Sequence, residues 1–434
     1  MLYSMYELGH MSVAPLRLAA MMQSNMLRSP LNLAAHTEFS RVAAAAADLF
    51  ESVTRRYAKP RWNLPHTTVN SVKVEVTPEV AWRTPWVDLV HFSRDSTALA
   101  KARSKKGQDP TVLLVAPLSG HYATLLRGTV EAFLPDYEVY ITDWADARMV
   151  PLIYGRFDLN DYVDHIMGMF RQLGPDTHVV AVCQPGPAVL AAVALMSDEN
   201  DPCTPATMTF MGSPIDARKS PTEPNKLAEQ REIDWFEKNM IHTVPAMYPG
   251  AFRRVYPGFI QLASFMNMNM SRHVDAHHEY FKHLVEGDGD SVQKHREFYD
   301  EYLSVLDLTE EFYIQTLREV FQDYTLAKGK MVHHDRKVDP KAITRTALMT
   351  VEGENDDISG IGQTQAAHTL CSSLPERMQQ DYIQAGVGHY GVFNGRRFNT
   401  EIYPRMREFH RTFQSPAMRA LPRPPQRRAK RTNA

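Results

Sequence analysis

The chain has 434 residues, 44% of them hydrophobic and 10% aromatic, which is enough to bury a large core in one big domain with insertions. Its 48 basic and 50 acidic side chains nearly cancel, which excludes a strong overall field steering it toward nucleic acid or an anionic membrane. Three scattered cysteines, Cys183, Cys203 and Cys371, exclude a disulfide framework and a Cys-x-x-Cys metal or redox pair, and fit a reducing cytoplasm.

The N-terminus has no cationic n-region, and its apolar stretch is interrupted by Pro15 and Arg17, so no signal peptide is expected. No window approaches about 18 consecutive apolar residues, so no transmembrane helix is expected either. Phe39, Val42, Ala43, Ala46, Leu49, Phe50 and Val53 recur at helical spacing, and residues 1–65 read as an N-terminal helical segment. The stretches Val72 to Val76 and Trp86 to Phe92 alternate with period two, which predicts two strands in an antiparallel start to a sheet.

Short, almost wholly apolar runs then follow at Thr111 to Pro117, Tyr137 to Asp143, His178 to Cys183 and Thr207 to Met211. Strands buried on both faces have this composition, and the helical segments between them, such as Asp161 to Leu173, imply right-handed crossovers and a mostly parallel sheet. After Asp216 the alternation stops for over a hundred residues rich in aromatics, Met and His, with helical patterning in Tyr280 to Leu284 and Phe298 to Val320. This is expected to be a helical lid insertion over 221–339, between core segments 66–220 and 340–414. A strand at Thr346 to Val351 resumes the sheet, and Asp381 to Ala385 is a further edge strand. Residues 415–434, rich in Pro and Arg, are expected to be a disordered basic tail, more simply solvated than bound to an anionic surface or nucleic acid.

The buried strand ending in Cys183-Gln-Pro-Gly-Pro187, followed by the small-residue helix from Ala188 to Ala194, has the strand-turn-helix context of a nucleophile elbow. A buried structural cysteine is the plainer reading of Cys183 alone. Two features downstream change the balance. Acidic residues Asp356 and Asp357 lie just past a strand end, and His389 follows another strand in the glycine-lined Gly388-His-Tyr-Gly391. Nucleophile, acid, histidine is the chain order of the α/β-hydrolase fold. In that arrangement His389 draws Cys183 toward the thiolate and Asp356 sets the imidazole's tautomer. One oxyanion donor would be the backbone N–H of Gln184; the second would come from Ala116-Pro-Leu-Ser-Gly-His-Tyr122, where Ser119 is the first choice and Leu118 its neighbour. That loop reads equally well as a tight turn at Gly120.

With these residues the chain resembles the intracellular poly(3-hydroxybutyrate) depolymerases of bacteria. The segments that carry the likeness are Met1 to Leu8, Val180 to Gly186, Met211 to Asp216, Val351 to Ile358 and Gly386 to Gly391. The resemblance implies a cysteine triad of Cys183, Asp356 and His389 acting on amorphous polyester at intracellular granules, through an acyl thioester accepted by water or by coenzyme A, with no resident cofactor. It leaves a homo-oligomer open. Ala181 and Pro185 stand where the general elbow has its two glycines, which separates the chain from generic lipases and from the Gly-x-Cys-x-Gly box of polyhydroxyalkanoate synthases. A synthase-like acyltransferase and an inactive granule-coat protein are the alternatives.

His273, His277, His278 and His283 invite a metal reading, but Val274 stands where His-Glu-x-x-His requires glutamate, and no metal is expected. Met266, Met268 and Met270 read as core filling before polymer contacts.

Overall fold

The computed structural model describes residues 2–103, 109–268 and 270–414; the basic tail lies outside them. Nine strands form the main sheet: β1 (His66–Val69), β2 (Val72–Arg83), β3 (Val87–Arg94), β4 (Thr111–Val115), β5 (Glu138–Trp144), β6 (His178–Val182), β7 (Thr207–Met211), β8 (Ala347–Gly353) and β9 (Gln379–Gln384). Their order is β1-β2-β3-β5-β4-β6-β7-β8-β9. The first three strands and the β3–β5 contact are antiparallel, and everything from β5 to β9 is parallel.

The apolar runs become central strands because both of their faces find a core. In β4, Leu113 and Val115 pack on one side of the sheet and Val112 and Leu114 on the other; in β6, Val179 and Ala181 oppose Val180 and Val182 in the same way. The antiparallel lead-in holds three strands instead of the expected two. β1 pairs only with Val72 to Glu75, and Pro78 lies beyond that stretch, where β2 has no outer neighbour and a missing N–H breaks no ladder.

The helices that position the site are α1 (Leu2–Leu27), α2 (Glu38–Thr54), α3 (Leu159–Leu173), α4 (Gly186–Asp198), α5 (Gly258–Met268), α6 (Met270–Glu286) and α7 (Gly289–Tyr302). α3 starts in a capping box between Asp158 and Asp161, and its Tyr162, Ile166, Met169 and Phe170 face the core. α1 continues through Pro15. Its Glu7 is buried against Arg56 at 2.6 Å and its Arg17 is half-buried on the carbonyl of His10, so no Asp, Glu, Lys or Arg on this helix is exposed. Leu2, Met5, Leu8, Met11, Leu16, Leu18, Met21, Met22 and Met26 are exposed instead. No helix among the described residues is long and apolar enough to cross a membrane.

The insertion is not purely helical. Besides its helices it holds a small antiparallel sheet of His242–Thr243, Arg254–Tyr256 and Leu308–Thr309, and a hairpin of Val332–His333 with Arg336–Lys337. The helical pattern expected from Phe298 to Val320 is therefore broken after Tyr302, where Leu306 and Leu308 are pulled into the core and Leu308 pairs with Tyr256. Tertiary burial outweighs helix periodicity there. Met270 is exposed and Met266 borders a groove with Tyr6 and Phe259; the Met268 side chain lies outside the described part.

Candidate active site

Cys183 follows β6 directly and has φ +66°, a left-handed conformation that costs a residue with a Cβ on the order of 1–2 kcal/mol. The strand ladder holds it there: its N–H donates to the carbonyl of Met211 at 2.8 Å. The chain turns sharply at this point into α4. A Cβ on Gly186 would lie 2.6 Å from Ser213 Oγ, so only glycine lets the first turn of α4 pass the exit of β7. Ala181, fully buried, and Pro185, at the N-cap with φ −68°, fit the two positions that carry glycine in the general elbow.

Because β7, β8 and β9 run parallel to β6, the loops after them leave from the same edge of the sheet as Cys183. Buried Glu352 shapes the first of these loops, accepting N–H groups from Gly362 at 2.8 Å and Thr364 at 2.7 Å. Thr364 Oγ1 in turn accepts the N–H of Ser213, and the N–H of Asn355 donates to the carbonyl of Val387 at 2.9 Å. The acid loop and the histidine loop are thus tied together. Asp356 Oδ1 accepts from the N–H groups of Ile358 and Ser359, at 2.9 and 2.8 Å, which turns Oδ2 to within 2.8 Å of His389 Nδ1. Asp357 is exposed.

The His389 side chain is 5% exposed and that of Asp356 fully buried. Burial by itself pushes the imidazole's pKa down, but the charges of Cys183 and Asp356, and hydrogen bonds that both accept from the ring, hold it well above its ordinary value. The arrangement therefore favours the protonated imidazole. Cys183, Gln184, Ser119 and His389 line one cavity of about 200 Å³, walled by Leu118, Leu125, Tyr256, Phe265, Phe312, Leu317 and Phe393.

At the candidate oxyanion loop, the N–H of Leu118, not that of Ser119, donates to the side-chain Oε1 of Gln184, at 3.2 Å. Sequence reasoning missed Gln261, which lines the cavity from the insertion, and Gly212, where a Cβ would come within 3.2 Å of Asp356 Oδ2. Neither has a spacing signature; the Met211 to Asp216 segment stood out only by resemblance.

The four histidines of α6 do not gather into a ligand set among the described residues. His273 Nδ1 lies 2.9 Å from the Tyr299 hydroxyl, and His277 Nδ1 lies 2.8 Å from the His273 carbonyl. Asp164, His333 and His334 have metal-ligand spacing, with Asp164 accepting from the two imidazoles at 2.9 and 3.0 Å. Two His–Asp pairs that fasten the hairpin to α3 account for that cluster without an ion.

Strand order, parallel crossovers and a strained residue at a strand-turn-helix elbow define the class as α/β-hydrolase. Solved structures similar in shape include a soluble variant of monoglyceride lipase from Saccharomyces cerevisiae, at 10% identity and TM-score 0.45 over 82% of this chain and 99% of that one. Bromoperoxidase from Bacillus anthracis has 10% identity and TM-score 0.44 over 78% and 100%. An esterase from Thermogutta terrifontis has 12% and 0.40 over 79% and 100%. The fold class rests on topology and not on these low scores. Among curated proteins none matches the chain. Residues 212–414 match the family described as PHB de-polymerase C-terminus, which supports a polyhydroxybutyrate depolymerase family. It is a carboxylic ester hydrolase.

Proposed function

We propose that the enzyme cleaves ester bonds of amorphous poly(3-hydroxybutyrate) at the surface of intracellular granules, through a thioester on Cys183. The observation that carries this reading is the placement of Cys183 at the elbow, in contact with an imidazole that Asp356 orients, on the floor of an apolar cavity. The Cys183 thiolate attacks the ester carbonyl, and the oxyanion is held by the N–H groups of Gln184 and of Leu118 or Ser119. The C–O bond breaks as imidazolium His389 gives its proton to the departing alkoxide. Acylation removes the thiolate charge, so burial again pulls the imidazole's pKa down and makes His389 a base. It then takes a proton from water, or from the thiol of coenzyme A, as that acceptor attacks the thioester and frees Cys183. The products are 3-hydroxybutyrate units or their coenzyme A thioester, and the chain supplies every catalytic group without a cofactor.

The α1 surface supports contact with a polymer granule. Exposed Leu and Met side chains along α1, with no exposed charge among them, suit an uncharged polyester. Release of soluble hydroxy acid from amorphous polymer, with water or coenzyme A as acceptor, tests the reading. The wild type should release product and Cys183→Ala should not. Product that appears only as lengthened polymer would point to the synthase-like transferase, and no turnover at all to a granule-coat protein.

A further inference from the structure

The cavity beside Cys183 is apolar along most of its wall, yet three of the residues that line it carry a buried polar atom without a hydrogen-bond partner: Gln261 Oε1, Thr316 Oγ1 and Ser359 Oγ. Buried polar atoms in native proteins are paired with few exceptions, so each orphan calls for a ligand or water. Three in one apolar chamber call for a ligand that brings regularly placed polar groups of its own. Gln261 is the most firmly seated. It is 8% exposed on α5, and its carboxamide packs onto the oxyanion loop at Gly120. A Cβ at Gly120 would stand 2.7 Å from Gln261 Nε2, and the glycine has φ +109°, so the loop takes a shape that only glycine allows and thereby admits the amide. From the insertion side, the N–H of Leu306 holds the Gly120 carbonyl at 2.7 Å.

We infer that Gln261, with Thr316 and Ser359, forms a polar subsite that hydrogen-bonds the ester and hydroxyl groups of the 3-hydroxyacyl chain around the scissile bond. The inference rests on the ester-hydrolase reading and adds the basis of its selectivity. The hydroxyls of Thr316 and Ser359 can donate to ester carbonyls, while the carboxamide offers both an acceptor for the hydroxyl end of a chain and a donor for a carbonyl. A simple ester with one carbonyl cannot satisfy all three positions. A site built to hydrogen-bond its substrate discriminates against analogues lacking those groups, because its own buried groups are then left unpaired.

The test compares wild type with Gln261→Leu on a linear trimer of 3-hydroxybutyrate and on 4-nitrophenyl butanoate, with unfolding midpoints checked. The ratio of kcat/KM for the trimer to that for the nitrophenyl ester should fall about tenfold. Thr316→Val, close to isosteric, should move the ratio the same way and carries the comparison if Gln261→Leu does not fold. A wild-type ratio in both variants overturns the subsite. If the wild-type enzyme hydrolyses neither substrate, the ester-hydrolase reading fails instead. Calorimetric binding of the trimer to Cys183→Ala, with and without Gln261→Leu, then decides the subsite alone: a Kd weakened about tenfold sustains it, and an equal Kd or no binding overturns it.

Discussion

The backbone N–H of Leu118 donates to Gln184 Oε1 at 3.2 Å, so the side-chain carbonyl oxygen of the residue next to Cys183 occupies one of the two candidate oxyanion donors. If that N–H serves the oxyanion, the substrate and the Gln184 side chain compete for it. Gln184→Ala keeps the backbone donors and removes the competitor. It should raise kcat for a short ester, by up to about tenfold, with little change in KM. A loss of about 10²–10³ in kcat, the size expected for a missing oxyanion donor, would show that the carboxamide itself stabilises the intermediate.

Iodoacetamide should alkylate Cys183 before Cys203 and Cys371 and abolish turnover. Burial pushes the Cys371 thiol up to about 12, and burial with the Asp201 charge raises that of Cys203, whereas Cys183 touches His389 in an open cavity. Peptide mass spectrometry over time reads the order. Equal labelling of all three with activity retained would remove Cys183 from the nucleophile's role.

Asp356→Asn should lose far more activity than Asp357→Asn, since Asp356 bonds Nδ1 of His389 and Asp357 is exposed. The loss is about 10⁴-fold in the serine-protease precedent, and a thiolate–imidazolium pair depends on the carboxylate less. Turnover at matched thermal stability decides it. A larger loss with Asp357→Asn would shift the acid by one residue.

Acid should destabilise the fold through its buried histidines. His178, stacked on His410 with ring centroids 4.5 Å apart, is pushed down to about 4 by burial, as is His121. Between about 6.5 and 4 the unfolded chain has bound a proton that the folded histidine refuses, so stability falls as pH drops through that window. Each such residue costs on the order of 3 kcal/mol by pH 4. Buried Asp307, raised to about 7 by burial and by the Asp146 charge, works in the opposite direction, so the comparison is made against a variant. From pH 7 to pH 4, urea unfolding of His178→Gln should lose less stability than the wild type by about that amount. Parallel losses would contradict the linkage.

The elements most legible from sequence were those whose signal is local. β4, β6 and β7 are runs that must bury both faces, and the elbow combines such a run with a turn and a small-residue helix, so their places follow from residue type and period. The same logic put acidic residues and His389 at strand ends in chain order. What sequence could not decide was anything that depended on approach in space. Asp356 and Asp357 are chemically identical neighbours, and only the N–H groups of Ile358 and Ser359 select which one turns toward the imidazole. Leu118 and Ser119 are likewise distinguished only by which backbone N–H faces Gln184 across 66 residues of chain. β1 was missed because a four-residue strand carries too short a pattern, and the break after Tyr302 because helix periodicity yields to the burial of Leu306 and Leu308. Gln261 joins the cavity from an insertion with no motif, since its position is set by packing of α5 on Gly120 and by nothing within its own stretch of sequence. Period and residue type determined the scaffold and the reacting groups, and long-range packing determined their geometry.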